Sequence, residues 1–127
     1  MSVDLEKLKD IAEVEFEDIV EEAVITDLNE LRIMLTDGSF IDVWFSLKLV
    51  GKYSYHWERK ALDGLIYRHD NIPHKKWEHI KTFPKHFHDR DESTAVESHI
   101  DNNEEKALRE FLSFSRKVLT GSPPSRQ

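Results

Sequence analysis

Residues 30–47 read Glu30-Leu31-Arg32-Ile33-Met34-Leu35-Thr36-Asp37-Gly38-Ser39-Phe40-Ile41-Asp42-Val43-Trp44-Phe45-Ser46-Leu47. Leu31, Ile33 and Leu35 alternate with other residues before Thr36-Asp37-Gly38-Ser39, and Ile41, Val43, Phe45 and Leu47 alternate after it. A period of two is the signature of a strand with one buried face, and Asp-Gly tolerates the positive φ of a tight hairpin turn. Met34, Phe40 and Trp44 fall on the opposite face, so part of that face is expected to be covered as well.

The pattern continues outward. Residues 52–59 predict a strand with Tyr53, Tyr55 and Trp57 on one side and Ser54, His56 and Glu58 on the other. Residues 65–70 predict another, and 22–28 a first strand ahead of the hairpin. At the amino end, Leu5, Leu8, Ala12, Phe16, Ile19, Val20 and Ala23 keep helical spacing, which predicts an acidic amphipathic helix through residue 23. Residues 103–119 predict a second helix, capped through Asp101-Asn102-Asn103-Glu104 and ended by Gly121 and Pro123-Pro124. Residues 121–127 are expected to be a mobile tail. The expected fold is α+β: one domain over residues 1–127, with an antiparallel sheet of about five strands flanked by the two helices. Residues 24–100 hold the sheet and a histidine-rich loop; between 71 and 95 no periodicity survives, and stretches of that length without an element are often functional.

Composition narrows the function. The chain has 127 residues, 39% of them hydrophobic and 10% aromatic, enough for one core and too many for a disordered chain. Zero cysteines exclude disulfides, a thiol nucleophile and cysteine-bound zinc. No run reaches the length of a membrane-spanning helix, and the acidic Met1-Ser2-Val3-Asp4-Leu5-Glu6 has no signal-peptide pattern. A cytoplasmic protein without membrane partners is expected.

The formal charge of −7 is unevenly placed. Residues 1–22 carry nine acids and two lysines, and the remainder balances. Residues 51–90 carry nine basic residues against five acidic ones, with six of the seven histidines. Such a surface suits a polyanion despite the acidic total. His86 and His88 stand two apart, so extended backbone puts both on one face. A neutral and a protonated imidazole can exchange protons near neutral pH, and Arg68 and Lys85 can hold phosphate. Together these suit RNA cleavage through attack by the 2′-hydroxyl, with no cofactor or metal. The same histidines, with His74 and His69, also have the makings of a divalent-metal cluster.

Tyr53-Ser54-Tyr55-His56-Trp57-Glu58, Tyr67-Arg68-His69-Asp70-Asn71-Ile72-Pro73-His74 and Thr82-Phe83-Pro84-Lys85-His86-Phe87-His88 resemble, in order and spacing, motifs of the TumE family of small toxin–antitoxin proteins. The likeness covers roughly residues 30–119. The acidic segment extends beyond the family's short form, and Phe87 stands where a lysine is common. The resemblance implies a toxin neutralised by an antitoxin from an adjacent gene, one with a DNA-binding part, and RNA as a target. For a metal-independent endoribonuclease the residues themselves, not the resemblance, offer His86 and His88 as acid and base candidates, Arg68 to stabilise the phosphorane-like charge, and His56 and His74 to position or assist. Lys85, Lys81, Lys75 and Tyr67 contact RNA. The imidazoles are expected to converge in one solvent-filled pocket beside Arg68. The alternative is a non-catalytic regulatory or protein-interaction domain that docks through its acidic helix. A homodimer would cover the free edges of the sheet.

Overall fold

The computed structural model describes residues 3–121. The expected tail beyond residue 121 lies outside them. Helix α1 (Leu5–Asp10) runs on into a wider, π-helical turn at Ile11–Glu15. Seven strands follow: β1 (Val20–Asp27), β2 (Glu30–Leu35), β3 (Phe40–Phe45), β4 (Tyr53–Arg59), β5 (Leu65–Asp70), β6 (His86–Asp89) and β7 (Val96–Glu97). A single turn, α2 (Lys60–Asp63), joins β4 to β5, and α3 (Glu104–Leu119) closes the chain. The sheet is antiparallel and its spatial order is the order of the chain, β1 through β7.

The fold class is as expected, α+β with a helix at either end, but the sheet has seven strands instead of five. The two additional ones, β6 and β7, are short and lie within or just past the stretch without periodicity. The amino-terminal helix is shorter than its spacing implied. It stops at Glu15, and Val20–Asp27 is strand. Val20, Val24, Ile25 and Thr26 are β-branched and favour extended backbone. Ile19, Val20 and Ala23 are buried, so they satisfied a helical pattern while serving a turn (Ile19) and a strand (Val20 and Ala23).

One face of the sheet is apolar. Leu31, Ile33, Ile41, Val43, Tyr55, Trp57 and Tyr67 meet Leu8, Ile11 and Ala12 of the first helix and Leu108, Phe111 and Leu112 of α3 in one core. Each such side chain contributes about 1.5–3 kcal/mol of burial. Asn103 caps α3 by accepting from the Lys106 amide at 3.0 Å.

The acidic segment is partly neutralised from within. Arg109 forks onto Glu15 with both contacts at 2.8 Å, and Arg116 onto Asp18 at 2.7 and 2.8 Å. Edge strand β1 is blunted in the same way. The Lys9 ammonium donates to the Ala23 carbonyl at 2.8 Å, and Glu13 accepts from the Ala23 amide at 2.9 Å.

Candidate functional site on the open face of the sheet

The face turned away from the helices carries the chemistry. Register places one transverse row across five strands: Arg32 opposite Asp42, Asp42 opposite His56, His56 opposite Arg68, and Arg68 opposite His88. The next row on the same face runs Glu30, Trp44, Ser54, Asp70, His86 and Glu97. Strand parity alone produces this. Residues two apart share a face, so Arg68 and Asp70 stand side by side on β5, as His86 and His88 do on β6.

A cleft of about 480 Å³ lies over the two rows, lined by Glu30, Asp42, Trp44, Ser54, His56 and Arg68, with Ile72 and Glu92 at its rim. Two of its acids are paired: Asp42 with Arg32 at 2.8 and 2.9 Å, and Glu92 with Lys60 at 3.6 Å. His56 Nε2 meets the Glu58 carboxylate at 3.1 Å, and its Nδ1 is buried without a hydrogen-bond partner among the described residues. Arg68 Nε donates to Asp70 Oδ2 at 3.0 Å.

Beneath Arg68 lies a denser polar cluster. Asp70 is 5% exposed, His86 2% and His88 7%. Asp70 Oδ1 accepts from the Ile72 amide at 3.0 Å and faces His86 Nε2 at 3.2 Å. Both imidazoles donate their Nδ1–H to backbone carbonyls, His86 to Pro84 at 2.9 Å and His88 to Thr94 at 2.8 Å. Their ring centroids are 5.0 Å apart, and Trp77 packs over both, at 6.0 Å from His86 and 5.5 Å from His88. Burial acts to lower the pKa of each imidazole. For His86 the Asp70 carboxylate and the Pro84 carbonyl outweigh it, and the net shift is upward. For His88 burial prevails and the shift is downward. Burial also acts to raise the Asp70 pKa, but His86, the Ile72 amide and Arg68 hold it below the usual carboxylate range. Asp70, His86 and His88 each offer one ligand atom, all mutually within 4.8 Å, so this is the group able to hold a metal ion.

The expected single solvent-filled pocket of imidazoles is therefore replaced by two layers. His56 and Arg68 line an open cleft, while His86 and His88 sit below Arg68 under Trp77. His74 stands apart and exposed, capping the short 3-10 turn Lys75–Trp77 by accepting from the Lys76 amide at 3.1 Å. His69 faces the helices, stacked on Phe87 with ring centroids 4.2 Å apart, and burial pushes its pKa down to about 3. Lys75 and Lys81 are exposed. Lys85 donates to the Ile100 carbonyl and is partly buried. Tyr67, named as an RNA contact, is buried. It lies in the core between Trp57 and Phe114, with centroids at 5.3 and 5.0 Å, because its parity on β5 is opposite to that of Arg68.

Sequence reasoning passes over Asp70 and Trp77 as site residues. Asp70 was within reach, since it stands two residues after Arg68 on the same strand. Trp77 carried no signal, because nothing in an aperiodic stretch says which side chain folds back over the sheet.

Compared with known proteins, the chain matches a family model described as Toxin TumE over residues 5–119. No curated protein and no solved structure gives a match.

Proposed function

The chain belongs to the TumE toxin family, and from that premise we propose that it is the toxin component of a toxin–antitoxin pair and an endoribonuclease. Its partner is an antitoxin encoded by an adjacent gene and carrying a DNA-binding part. One arrangement supports the RNA reading: Arg68, anchored through Nε by Asp70, lines the same open cleft as a histidine backed by a carboxylate, His56 with Glu58.

In this reading the backbone phosphate of RNA lies against the free end of the Arg68 guanidinium, whose fork geometry suits phosphate. His56 takes the proton from the 2′-hydroxyl through Nε2, which turns from Glu58 to the substrate, as that oxygen attacks the adjacent phosphorus. Arg68 stabilises the charge that grows on the phosphoryl oxygens. The bond to the 5′-oxygen breaks, that oxygen takes a proton from water, and a 2′,3′-cyclic phosphate remains. Trp44 gives the cleft an aromatic wall for a base. Lys75 and Lys81 are the flanking backbone contacts. His86 and His88 act through Asp70, which fixes Arg68.

The test is cleavage of a 5′-labelled RNA by the purified protein, with the new ends assayed for cyclic phosphate. Wild type cleaves, and Arg68→Ala and His56→Ala each lose most of the rate. Equal rates for wild type and both variants overturn the assignment. Growth arrest on expression with intact RNA overturns the nuclease reading and leaves the toxin.

A second reading, a non-catalytic interaction domain, is favoured by one feature. Leu28 and Val50 are 85% and 83% exposed and, with Leu47, line an apolar groove at one end of the sheet. It predicts partner binding that survives Arg68→Ala and His56→Ala. The acidic segment serves this reading less well, since Glu15 and Asp18 are already paired with α3.

A further inference from the structure

We propose that Asp70, His86 and His88 form a binding site for a divalent zinc ion. This takes up the divalent-metal alternative with Asp70 in place of His69 and His74, and it stands independently of the nuclease reading.

The first argument is the orientation of the rings. A carbonyl oxygen only accepts, so the contacts to Pro84 and Thr94 place the proton of each imidazole on Nδ1. That leaves Nε2 as the nitrogen open to a metal, and on His86 a cation takes the place of the proton that Nε2 shares with Asp70 Oδ1. Histidines that bind metals are held in this way, with the other ring nitrogen donating to a backbone carbonyl or a carboxylate. Two histidines held identically, with His86 Nε2 against the Asp70 carboxylate and one ligand atom of each residue within 4.8 Å of the others, form a preorganised ligand set.

Spacing is the second argument. A tetrahedral zinc ion with bonds of about 2.0–2.2 Å spaces its ligand atoms about 3.3–3.6 Å apart. His86 Nε2 and Asp70 Oδ1 are 3.2 Å apart, and all three ligand atoms lie within 4.8 Å of one another. Small side-chain rotations close the set around one ion.

Burial is the third. Three polar groups this deep are costly to desolvate unless each is paired. A cation would replace the His86–Asp70 contact with bonds to both and draw in His88, while the carbonyl and Arg68 partners stay and the Trp77 indole shields the group from water. The second carboxylate oxygen stays on Arg68, so the ion and the guanidinium share one anion. Nitrogen and carboxylate donors in a three-ligand set match the class of zinc site that keeps a fourth position for water or substrate. Arg68 connects this layer to the cleft above it.

The test uses the full chain purified without a histidine tag, stripped of metal and titrated with Zn²⁺ against a chromophoric chelator. One zinc per chain is expected. His88→Ala, which leaves the His86 and Asp70 pair in place, weakens binding by more than about a hundredfold, beyond what outer-shell changes cost. His74→Ala, an exposed residue outside the cluster, leaves it unchanged. If His88→Ala fails to fold, cobalt decides the matter in the wild type, since a four-coordinate nitrogen and oxygen site gives intense visible absorption. No zinc uptake, equal affinity in wild type and His88→Ala, or cobalt with only the pale spectrum of the hydrated ion overturns the site. Zinc uptake without RNA cleavage keeps the site and removes the nuclease. Cleavage by protein that takes up no zinc does the reverse.

Discussion

Arg68 and Asp70 stand two residues apart on β5, and Nε of the first donates to Oδ2 of the second at 3.0 Å. That contact uses one edge of the guanidinium and directs the other outward. Arg68→Ala is therefore expected to lower RNA cleavage by about 10²–10³-fold, the range seen when one preorganised charge-stabilising donor is removed. Arg68→Lys keeps the charge, loses the fork and falls between. Single-turnover rates check both, with circular dichroism confirming that the fold is unchanged.

Trp77 covers His86 and His88, and Lys76 in turn lies 4.9 Å from the centre of its ring. Trp77→Ala is expected to expose the two imidazoles while leaving the main core intact, because Trp77 lies outside that cluster. Histidine modification by diethyl pyrocarbonate, mapped by mass spectrometry, gains rate at His86 and His88 and stays constant at His74. Unchanged rates at all three positions mean that the tryptophan is no barrier.

Trp57 is fully buried, and its Nε1 donates to Ser39 Oγ at 2.9 Å. Trp57→Ala opens a cavity beneath both helices and is expected to cost about 3–5 kcal/mol. Urea denaturation reads this as a lower midpoint. Trp57→Phe keeps most of the volume, and Ser39 Oγ loses the indole donor but keeps its bond to Asp37, so the loss is smaller.

Asp37 sits in the β2–β3 turn and accepts from the Ser39 amide at 3.0 Å, Ser39 Oγ at 2.6 Å and Arg59 Nη1 at 2.7 Å. Burial alone works to raise its pKa, but the Ser39 bonds and Arg59 outweigh it, and the carboxyl is held below its usual range. A carboxylate depressed in the folded state contributes stability above its unfolded pKa of about 3.9 and loses it as pH falls through the folded value. Asp37→Asn is expected to destabilise the protein by about 1–3 kcal/mol at neutral pH. The gap between variant and wild type narrows as pH drops below about 4. Urea midpoints measured across that interval show whether it does.

How far the fold was legible depended on which signals were unambiguous. The hairpin needed no tertiary information, because Asp37-Gly38 marks the turn and Ile33 and Ile41 pair across it. Tyr53, Tyr55 and Trp57 announce β4 and its buried side in the same way. The first helix was over-extended because Ile19, Val20 and Ala23 fit a period of 3.6 by coincidence while lying in a turn and a strand. Strand β6 shows only two histidines of the same parity, and β7 is two residues long, too short for any period to register. The site was half legible for the same reason. Parity placed His86 beside His88, but which residue opposes them is a matter of register, and register brings in Arg68 and Asp70. Tyr67, named as an RNA contact, has the parity opposite to Arg68, and that sends it inward.

The sheet is a plain meander in which every strand pairs with its chain neighbour. Contacts that are close along the chain form early and at little entropic cost. The exception is α3, which follows every strand, packs Phe111 and Phe114 against Tyr55, Trp57, Tyr67 and Phe87, and reaches back to Glu15 and Asp18. During synthesis the arginine and histidine row is thus paired before α3 arrives, and the growing chain holds an apolar sheet covered only by the first helix until α3 docks. A ribosome-bound intermediate halted before residue 104 is accordingly the form most exposed to chaperones and to aggregation.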